Sequence, residues 1–140
     1  MNYARIALAT LGGFAAYFVL GGLLAAVPQL RGEFSKYPNV YRPKEQMMGV
    51  MPYGMVAMLI AFLALATLYA LVYRGGFGVA EGARFGALIG VFAIGSFVFH
   101  NYVNLQIGLK LTIEQAVVYF VQWVIVGIVI GLIYRPVTPQ

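Results

Sequence analysis

The sequence predicts an all-α fold, a four-helix transmembrane bundle with one long basic loop between the first and second helices. Three observations lead to this prediction. Four apolar runs each approach the roughly 20 residues that a spanning helix needs. Only 9% of the 140 residues are charged, and 62% are hydrophobic, more than so short a chain can shield from water. The runs also lack the alternating pattern of membrane strands, so we expect one helical domain over residues 1–140.

The first helix is predicted at 6–27, where no residue is charged. This run is longer than the roughly 7–15 apolar residues of a signal peptide, and Pro28 begins a poor cleavage site, so we interpret it as a retained helix. The connection 28–46 is basic and aromatic, which predicts a loop along the lipid headgroups. Its charged and aromatic residues are Arg31, Glu33, Phe34, Lys36, Tyr37, Tyr41, Arg42, Lys44 and Glu45.

The second helix is predicted at 44–73. Proline is favoured at the start of a helix, so Pro43 is well placed to open it, and a carboxylate in the first turn, here Glu45, suits the helix dipole. Pro52 lies just inside the apolar run and predicts a kink, because proline cannot donate the backbone hydrogen bond of that turn.

The third and fourth helices are predicted at 80–105 and 113–134. Glu81 falls in the first turn of the third helix, and Arg84 follows three residues later, close enough to pair with it. Thr112 and Gln115 have the spacing of a capping box, which predicts that the fourth helix opens there. Tyr134, Arg135 and Pro136 predict that it ends at the membrane interface, followed by an irregular tail.

Glycines recur every four residues on the third and fourth predicted helices. They are Gly82, Gly86 and Gly90 on the third helix, and Gly127 and Gly131 on the fourth. Helices in lipid associate through close contact, which small residues permit. We therefore predict two ridges that pack helices together, either against each other within one chain or against a second copy or another protein.

Polar residues gather at one end of the predicted bundle. They are His100, Asn101, Asn104, Gln115, Tyr119 and Gln122. His100 and Asn104 are four residues apart, and the other helix carries its polar residues at spacings of four and three, so each helix presents one polar face. Because polar groups within a span are costly, such a cluster points to a structural or functional role.

Three interpretations of this polar cluster stay open. The residues can form an interhelical hydrogen-bond network at the interface. Alternatively, they can form a small binding site or a pathway for a lipid headgroup or a solute. In the third interpretation His100 is the axial ligand of a haem iron or a chlorophyll magnesium, since neutral imidazole is a common metal ligand. One histidine per chain excludes bis-histidine haem within a single copy.

The composition argues against an enzyme and against nucleic-acid binding. The chain has no cysteine and no aspartate, and its four glutamates lie near helix ends or in loops. Catalysis needs a nucleophile with a base, paired carboxylates or a metal cluster, and none of these is visible. The net charge of +5 comes from scattered basic residues, which in membrane proteins serve topology and contact with lipid headgroups.

The basic residues divide almost evenly between the two predicted membrane faces. Arg5, Arg74, Arg84 and Arg135 lie on the face of the termini, and Arg31, Lys36, Arg42, Lys44 and Lys110 on the other. This balance gives little guidance from the positive-inside rule. We expect both termini in the cytoplasm, because the four arginines lie next to the helix ends.

The second half of the chain resembles a family of small bacterial four-helix membrane proteins with no assigned activity. The likeness covers residues 79–136 and rests on Glu81-Gly82-Ala83-Arg84-Phe85-Gly86, Asn101-Tyr102 and Gly131-Leu132-Ile133-Tyr134-Arg135-Pro136. The resemblance implies four helices in a bacterial cytoplasmic membrane. It carries over no catalytic residue, and His100 is not part of the shared pattern.

These observations favour a non-catalytic membrane protein, an accessory or structural subunit that packs against other helices in a larger bacterial complex. Its expected partners are the lipid bilayer and other membrane subunits or further copies of itself, and no cofactor is expected. One alternative is a small oligomeric transporter or channel that uses the polar cluster. The other is a haem- or chlorophyll-binding subunit that uses His100.

Overall fold

The computed structural model describes residues 1–135, except for the side chain of Lys44. In chain order the elements are α1 (Tyr3–Ala25), α2 (Pro28–Phe34), α3 (Lys44–Val72), α4 (Gly78–Ala93), a π-helical segment (Ile94–Phe99), α5 (His100–Asn104) and α6 (Leu109–Tyr134). Within this range four spans are long and apolar enough to cross a membrane, because α4, the π-helical segment and α5 run as one. The predicted four-helix transmembrane bundle is confirmed. Pro136 and the predicted tail beyond it lie outside the described residues.

The outer surface of the bundle is apolar along its length. Large side chains such as Val103, Leu88 and Phe92 are 79%, 71% and 70% exposed. Soluble monomers rarely expose contiguous apolar patches of this extent, because contact between apolar surface and water is unfavourable and promotes aggregation. The chain is therefore a multi-pass membrane protein whose outer side chains contact lipid.

Several helix starts follow the sequence signals. Asn2 caps α1, its Oδ1 accepting from the Arg5 N–H at 3.1 Å. Pro43 precedes α3, and Glu45 and Glu81 lie in the first turns of α3 and α4, as predicted. The helix α3 continues through Pro52 to Val72.

Two predicted boundaries are wrong. The connection 28–46 is not all loop, because Pro28 opens the short helix α2. The last helix begins at Leu109, before the predicted position 113, with Gly108 as its N-cap. The Thr112 hydroxyl donates to the Gly108 carbonyl at 3.1 Å within the helix, so it does not cap. A threonine inside a helix can satisfy its hydroxyl on the carbonyl four residues earlier, which the capping-box pattern alone does not distinguish.

The predicted pair of Glu81 and Arg84 is also absent from residues 1–135. The Glu81 Oε1 atom instead accepts from the Gly76 N–H at 3.1 Å. Gly75 has a φ of 87°, in the left-handed region that glycine favours, and its turn brings the next residue back over the start of α4. The carboxylate is therefore engaged by the backbone of the turn.

The long helices lie in the packing order α3, α1, α6 and α4. The helix α1 packs against both α3 and α6, and α6 also packs extensively against α4. The short helix α2 contacts α1 and α6. We call the membrane face with the start of α1, residues 73–77 and the end of α6 the terminal face, and the face with residues 26–43 and 105–108 the loop face.

The two predicted glycine ridges pack against each other in this structure. A Cβ atom added to Gly82 would overlap the Gly127 carbonyl oxygen, and one added to Gly127 would overlap the Gly82 carbonyl oxygen. Gly86 likewise lies against the backbone of Trp123. The backbones of α4 and α6 therefore touch, which places the ridges inside the chain rather than on a surface for another copy.

The ends of the ridges continue this contact. At the terminal face, Gly131 lies against the Gly78 carbonyl, so a second pair of glycines extends the predicted pattern. Towards the loop face, a Cβ on Gly90 would lie 3.2 Å from the Phe120 ring. The α4–α6 contact thus changes from backbone against backbone to backbone against an aromatic side chain.

Candidate functional site

A cleft of about 370 Å³ separates α3 from α4. It forms because α3 packs on α1 while α4 packs on α6. The two outer helices meet near the terminal face, where the Tyr69 and Phe85 ring centroids lie 5.1 Å apart, and leave the cleft open beyond that contact. Its aromatic lining residues are Tyr17, Phe62, Phe92, Phe97, Tyr119 and Trp123. Ligand pockets are commonly apolar clefts of this size between helices, so the α3–α4 cleft is the first candidate for a binding site.

Packed aromatic rings form the floor of the α3–α4 cleft. Trp123 stacks on Phe62 with ring centroids 5.9 Å apart, and Tyr17 lies 5.4 Å from Trp123. The Trp123 Nε1 atom is buried and finds no hydrogen-bond partner among residues 1–135. An unpaired N–H costs free energy, so the favourable packing of these rings must offset that cost.

The π-helical segment contributes one wall of the cleft. Ser96 and Phe97 line it, and the Ser96 hydroxyl donates to the Phe92 carbonyl at 2.7 Å. Short π-helical turns inside α-helices are rare in proteins, and those that occur are often at functional sites. This one also shifts the register of His100 and the residues after it relative to an unbroken α-helix.

An exposed stripe of small residues on α3 borders the cleft. It consists of Gly54, Ala57, Ala61 and Ala64, which we call the α3 stripe, and all four residues are exposed. Their spacings of three, four and three place them on one helix face. Ala61 also lines the α3–α4 cleft, so the stripe and the cleft form one continuous surface. A Cβ atom on Gly54 would meet nothing within 4 Å.

His100 and its neighbours lie away from the α3 stripe and the α3–α4 cleft, and also from the polar residues of α6. The side chains of His100 and Asn104 are exposed, and Asn101 is half-buried. The Asn104 Nδ2 atom donates to the His100 carbonyl at 2.9 Å, within its own helix. In the described part of the chain, these residues form no hydrogen bond with the polar residues of α6.

The polar residues of α6 instead face α1 and the segment between α2 and α3. Gln122 is 3% exposed, and its Nε2 atom donates to the Tyr17 carbonyl of α1 at 2.8 Å. The Gln115 Nε2 atom lies 3.5 Å from the Tyr41 hydroxyl. Both glutamines and Tyr119 line a second cavity of about 200 Å³, which α1 and α2 share. Of the three interpretations, a network that joins the polar residues of α6 to His100 and Asn104 is not formed within residues 1–135, since α6 turns its polar residues towards α1.

An ion cluster fastens α2 to the start of α6 on the loop face. The Glu33 carboxylate is buried and accepts from Lys36 and Lys110, each at 2.6 Å. These two ammonium groups hold the pKa of the Glu33 carboxyl below its ordinary value, and Lys110 has the larger effect. Beside them, the Gly108 N–H donates to the Tyr37 hydroxyl at 2.9 Å.

No group of three or more metal-binding side chains occurs within residues 1–135. His100, the predicted axial ligand, is exposed on the outer surface of α5 and lines neither the α3–α4 cleft nor the second cavity. A haem or chlorophyll on this residue would therefore lie at the lipid boundary and contact the bundle with one edge.

No protein-family model, no curated protein and no solved structure matches this chain. The resemblance of residues 79–136 to a family of bacterial four-helix membrane proteins therefore stays a prediction. The geometry of the chain itself is the basis for a functional proposal.

The sequence reasoning singled out the glycine ridges and the polar stripes but missed the α3 stripe. Its signal was present, because Gly54, Ala57, Ala61 and Ala64 have the spacing of a helix-packing face. Alanine is common in apolar helices, so the pattern did not stand out until the structure left this face uncovered. The cleft beside it had no sequence signature of its own.

Proposed function

We propose that this protein is a non-catalytic accessory subunit of the membrane, and that it binds a transmembrane helix of a different membrane protein along the α3 stripe. In this proposal, side chains of the partner helix enter the α3–α4 cleft. The observation that carries the proposal is an exposed helix-packing face, the α3 stripe, continuous with an open cleft.

The distribution of small residues supports this proposal. Helices in a bilayer gain little from the hydrophobic effect, so close approach at small residues supplies much of their association. The ridges of α4 and α6 are already covered by each other, while no helix within residues 1–135 covers the α3 stripe. A partner helix at this face would gain the same close contact that joins α4 and α6.

The shape of the cleft supports a helix rather than a rigid cofactor. The cleft lies open between two long helices, and its walls are formed by side chains from α1, α3, α4 and α6. A second helix lying on α3 can fill such a cleft with apolar side chains spaced along one face, as helices do in grooves. The absence of cysteine and aspartate from the sequence is consistent with a role without catalysis.

We place the protein in a bacterial cytoplasmic membrane with both termini in the cytoplasm. The bacterial location rests on the resemblance of residues 79–136, and the orientation on four arginines next to the helix ends of the terminal face. Because the chain has no cysteine, single substitutions Asn39→Cys and Phe77→Cys can report the two faces. In intact cells, a membrane-impermeant maleimide should label Asn39→Cys and spare Phe77→Cys. The reverse pattern would refute the orientation.

Site-specific photo-crosslinking tests the proposed partner face. A photoreactive amino acid at Ala61 should capture one membrane protein of defined mass in native membranes. The same amino acid at Ala15, an exposed alanine on α1, is the matched control and should capture lipid only. The substitution Gly54→Leu should abolish the Ala61 crosslink, because its side chain would occupy the surface that the partner approaches.

Three results would overturn the proposal. Equal crosslinking from Ala61 and Ala15 would show that the α3 stripe is not a specific surface. A crosslinked species made only of this chain would replace the accessory role with a homo-oligomer. Retention of the crosslink in Gly54→Leu would show that the partner does not approach along the stripe.

A further inference from the structure

A third cavity lies at the terminal face, between the end of α3 and the start of α4. Its volume is about 200 Å³, and its lining includes Tyr69, Tyr73, Arg74, Glu81, Arg84 and Phe85. We call it the arginine pocket. It lies where α3 ends at Val72 and α4 begins at Gly78, so its depth is that of the lipid headgroups.

Two arginines line this pocket, and neither has a carboxylate partner within the described residues. Within residues 1–135 the ion pairs involve Glu33 and Glu114, both on the loop face, and none involves Arg74 or Arg84. The one acidic side chain in the lining is Glu81, whose Oε1 accepts from the Gly76 N–H. The arginine pocket therefore carries an excess of one positive charge at the membrane boundary.

The walls of the pocket are apolar and lead into the bilayer. Val72 and Leu88 complete its lining beside Phe85, and Leu88 is 71% exposed on the outer surface of α4. A molecule with its anionic group at the arginines could therefore lay an acyl chain along α4. The Tyr73 hydroxyl already donates to the Gly76 carbonyl at 3.0 Å, so it helps to hold the turn.

We propose that the arginine pocket binds the phosphate group of an anionic phospholipid. Arginine presents a planar fork of donors that matches phosphate oxygens, and basic pockets between transmembrane helices are known sites for anionic headgroups. The apolar walls distinguish a lipid from a free phosphate ion, because only the lipid has chains to cover them. The site is independent of the α3 stripe and of the proposed partner.

Native mass spectrometry of the full chain in detergent tests this proposal. The probes are phosphatidylglycerol, phosphatidylcholine with the same acyl chains, and inorganic phosphate. We expect one phosphatidylglycerol to bind more tightly than phosphatidylcholine, and inorganic phosphate not to displace it. Displacement by inorganic phosphate would show an anion site without lipid specificity, and equal binding of the two lipids would show no headgroup recognition. Either result would overturn the proposal.

Charge variants locate the site. Arg74→Gln and Arg84→Gln should each weaken phosphatidylglycerol binding about fivefold, the effect of one basic side chain near anionic lipid. Arg5→Gln removes the same charge from the same membrane face outside the pocket, and it should leave binding unchanged. If Arg5→Gln weakened phosphatidylglycerol binding equally, the lipid would be responding to the positive charge of the whole membrane face and not to a specific site. That result would contradict the proposal.

A gain of affinity separates binding from misfolding. Glu81→Gln removes the negative charge of the pocket while keeping an oxygen that can accept from the Gly76 N–H. We expect phosphatidylglycerol to bind this variant about fivefold more tightly than the native chain. A misfolded pocket cannot produce that result, and unchanged or weaker binding would contradict the proposed position of the phosphate.

Discussion

The α4–α6 contact and the outer face of α3 use small residues in opposite ways. In the α4–α6 contact, glycines bring two backbones together, and a Cβ atom added at Gly78, Gly82, Gly86, Gly127 or Gly131 would overlap a carbonyl oxygen. On α3, a stripe with the same kind of spacing is exposed in the described part of the chain. Small residues at helical spacing thus indicate that a helix is suited to close packing, while the tertiary structure decides whether its partner is inside the chain.

The largest expected effect comes from one methyl group added within the α4–α6 contact. In Gly127→Ala the new Cβ would overlap the Gly82 carbonyl, and its next neighbour, the Gly86 Cα, would be 2.6 Å away. Because backbone cannot rotate aside as a side chain does, we expect a loss of about 3 kcal/mol in the free energy of unfolding. Reversible unfolding in mixed micelles measures it.

Gly54→Ala is the matched control for that substitution. Its new methyl group meets nothing within 4 Å, so the free energy of unfolding should stay the same or rise slightly through better helix propensity. If both variants lose the same stability, the contrast between the covered and the uncovered glycines does not exist.

A smaller effect is expected at the α1–α6 contact. Gln122→Leu removes the hydrogen bond to the Tyr17 carbonyl while keeping a side chain of similar size. Hydrogen bonds between helices in membranes contribute modestly, so the loss should be about 1 kcal/mol. The same unfolding assay measures it, and a loss as large as that of Gly127→Ala would show that polar contacts, rather than close packing, hold the bundle together.

Acid should loosen α2 from the bundle and leave the glycine contact intact. The pKa of Glu33 is lowered in the folded protein, so its pairing stabilises α2 above the ordinary glutamate pKa. That stabilisation is lost as the pH falls through the lowered value. The protection of the Gly108 N–H, which donates to the Tyr37 hydroxyl, should therefore fall on acidification when its exchange rate is compared with that of an unfolded peptide at the same pH.

Glu33→Gln should produce the same loss of protection at the Gly108 N–H at neutral pH. Amides along α4, next to the glycine contact, should show no change in the same experiment. If they accelerated together with Gly108, the ion cluster would be part of one cooperative unit with the α4–α6 contact, and the two regions would not be independent.

The smallest effect is expected at His100. Its side chain is exposed and belongs to neither surface, so His100→Ala should leave stability within the range of ordinary surface substitutions. The purified native chain should also show no visible absorption. A haem or chlorophyll spectrum that disappears in His100→Ala would revive the pigment-binding alternative.

Much of the fold could be predicted because lipid imposes a simple rule. Each apolar run had to become a helix that satisfies its own backbone, and the four spans follow from that. Pro43, Glu45 and Glu81 marked helix starts correctly, because their effects depend only on neighbouring residues. The Thr112 prediction failed because the same hydroxyl can be satisfied inside a helix.

The partners of polar side chains were harder to predict. Gln122 donates to a backbone carbonyl 105 residues away. Every residue has a backbone carbonyl, so the sequence does not indicate which one accepts this hydrogen bond. The π-helical segment also lacks a sequence signature, although it changes which side of the helix His100 occupies. The α3–α4 cleft arises from the order in which helices pack, which periodicity within one helix does not contain.

The packing order has a consequence for how the protein is made. Among the four spans, α1 leaves the ribosome before α6 and yet depends on it, since Gly13 lies against Ile130 and the Tyr17 carbonyl accepts from Gln122. Until translation reaches α6, that side of α1 lacks this neighbour. The packing of the four spans is therefore complete only when α6 enters between two helices already in the bilayer, α1 and α4. A ribosome that stalls before α6 would leave both without their common neighbour.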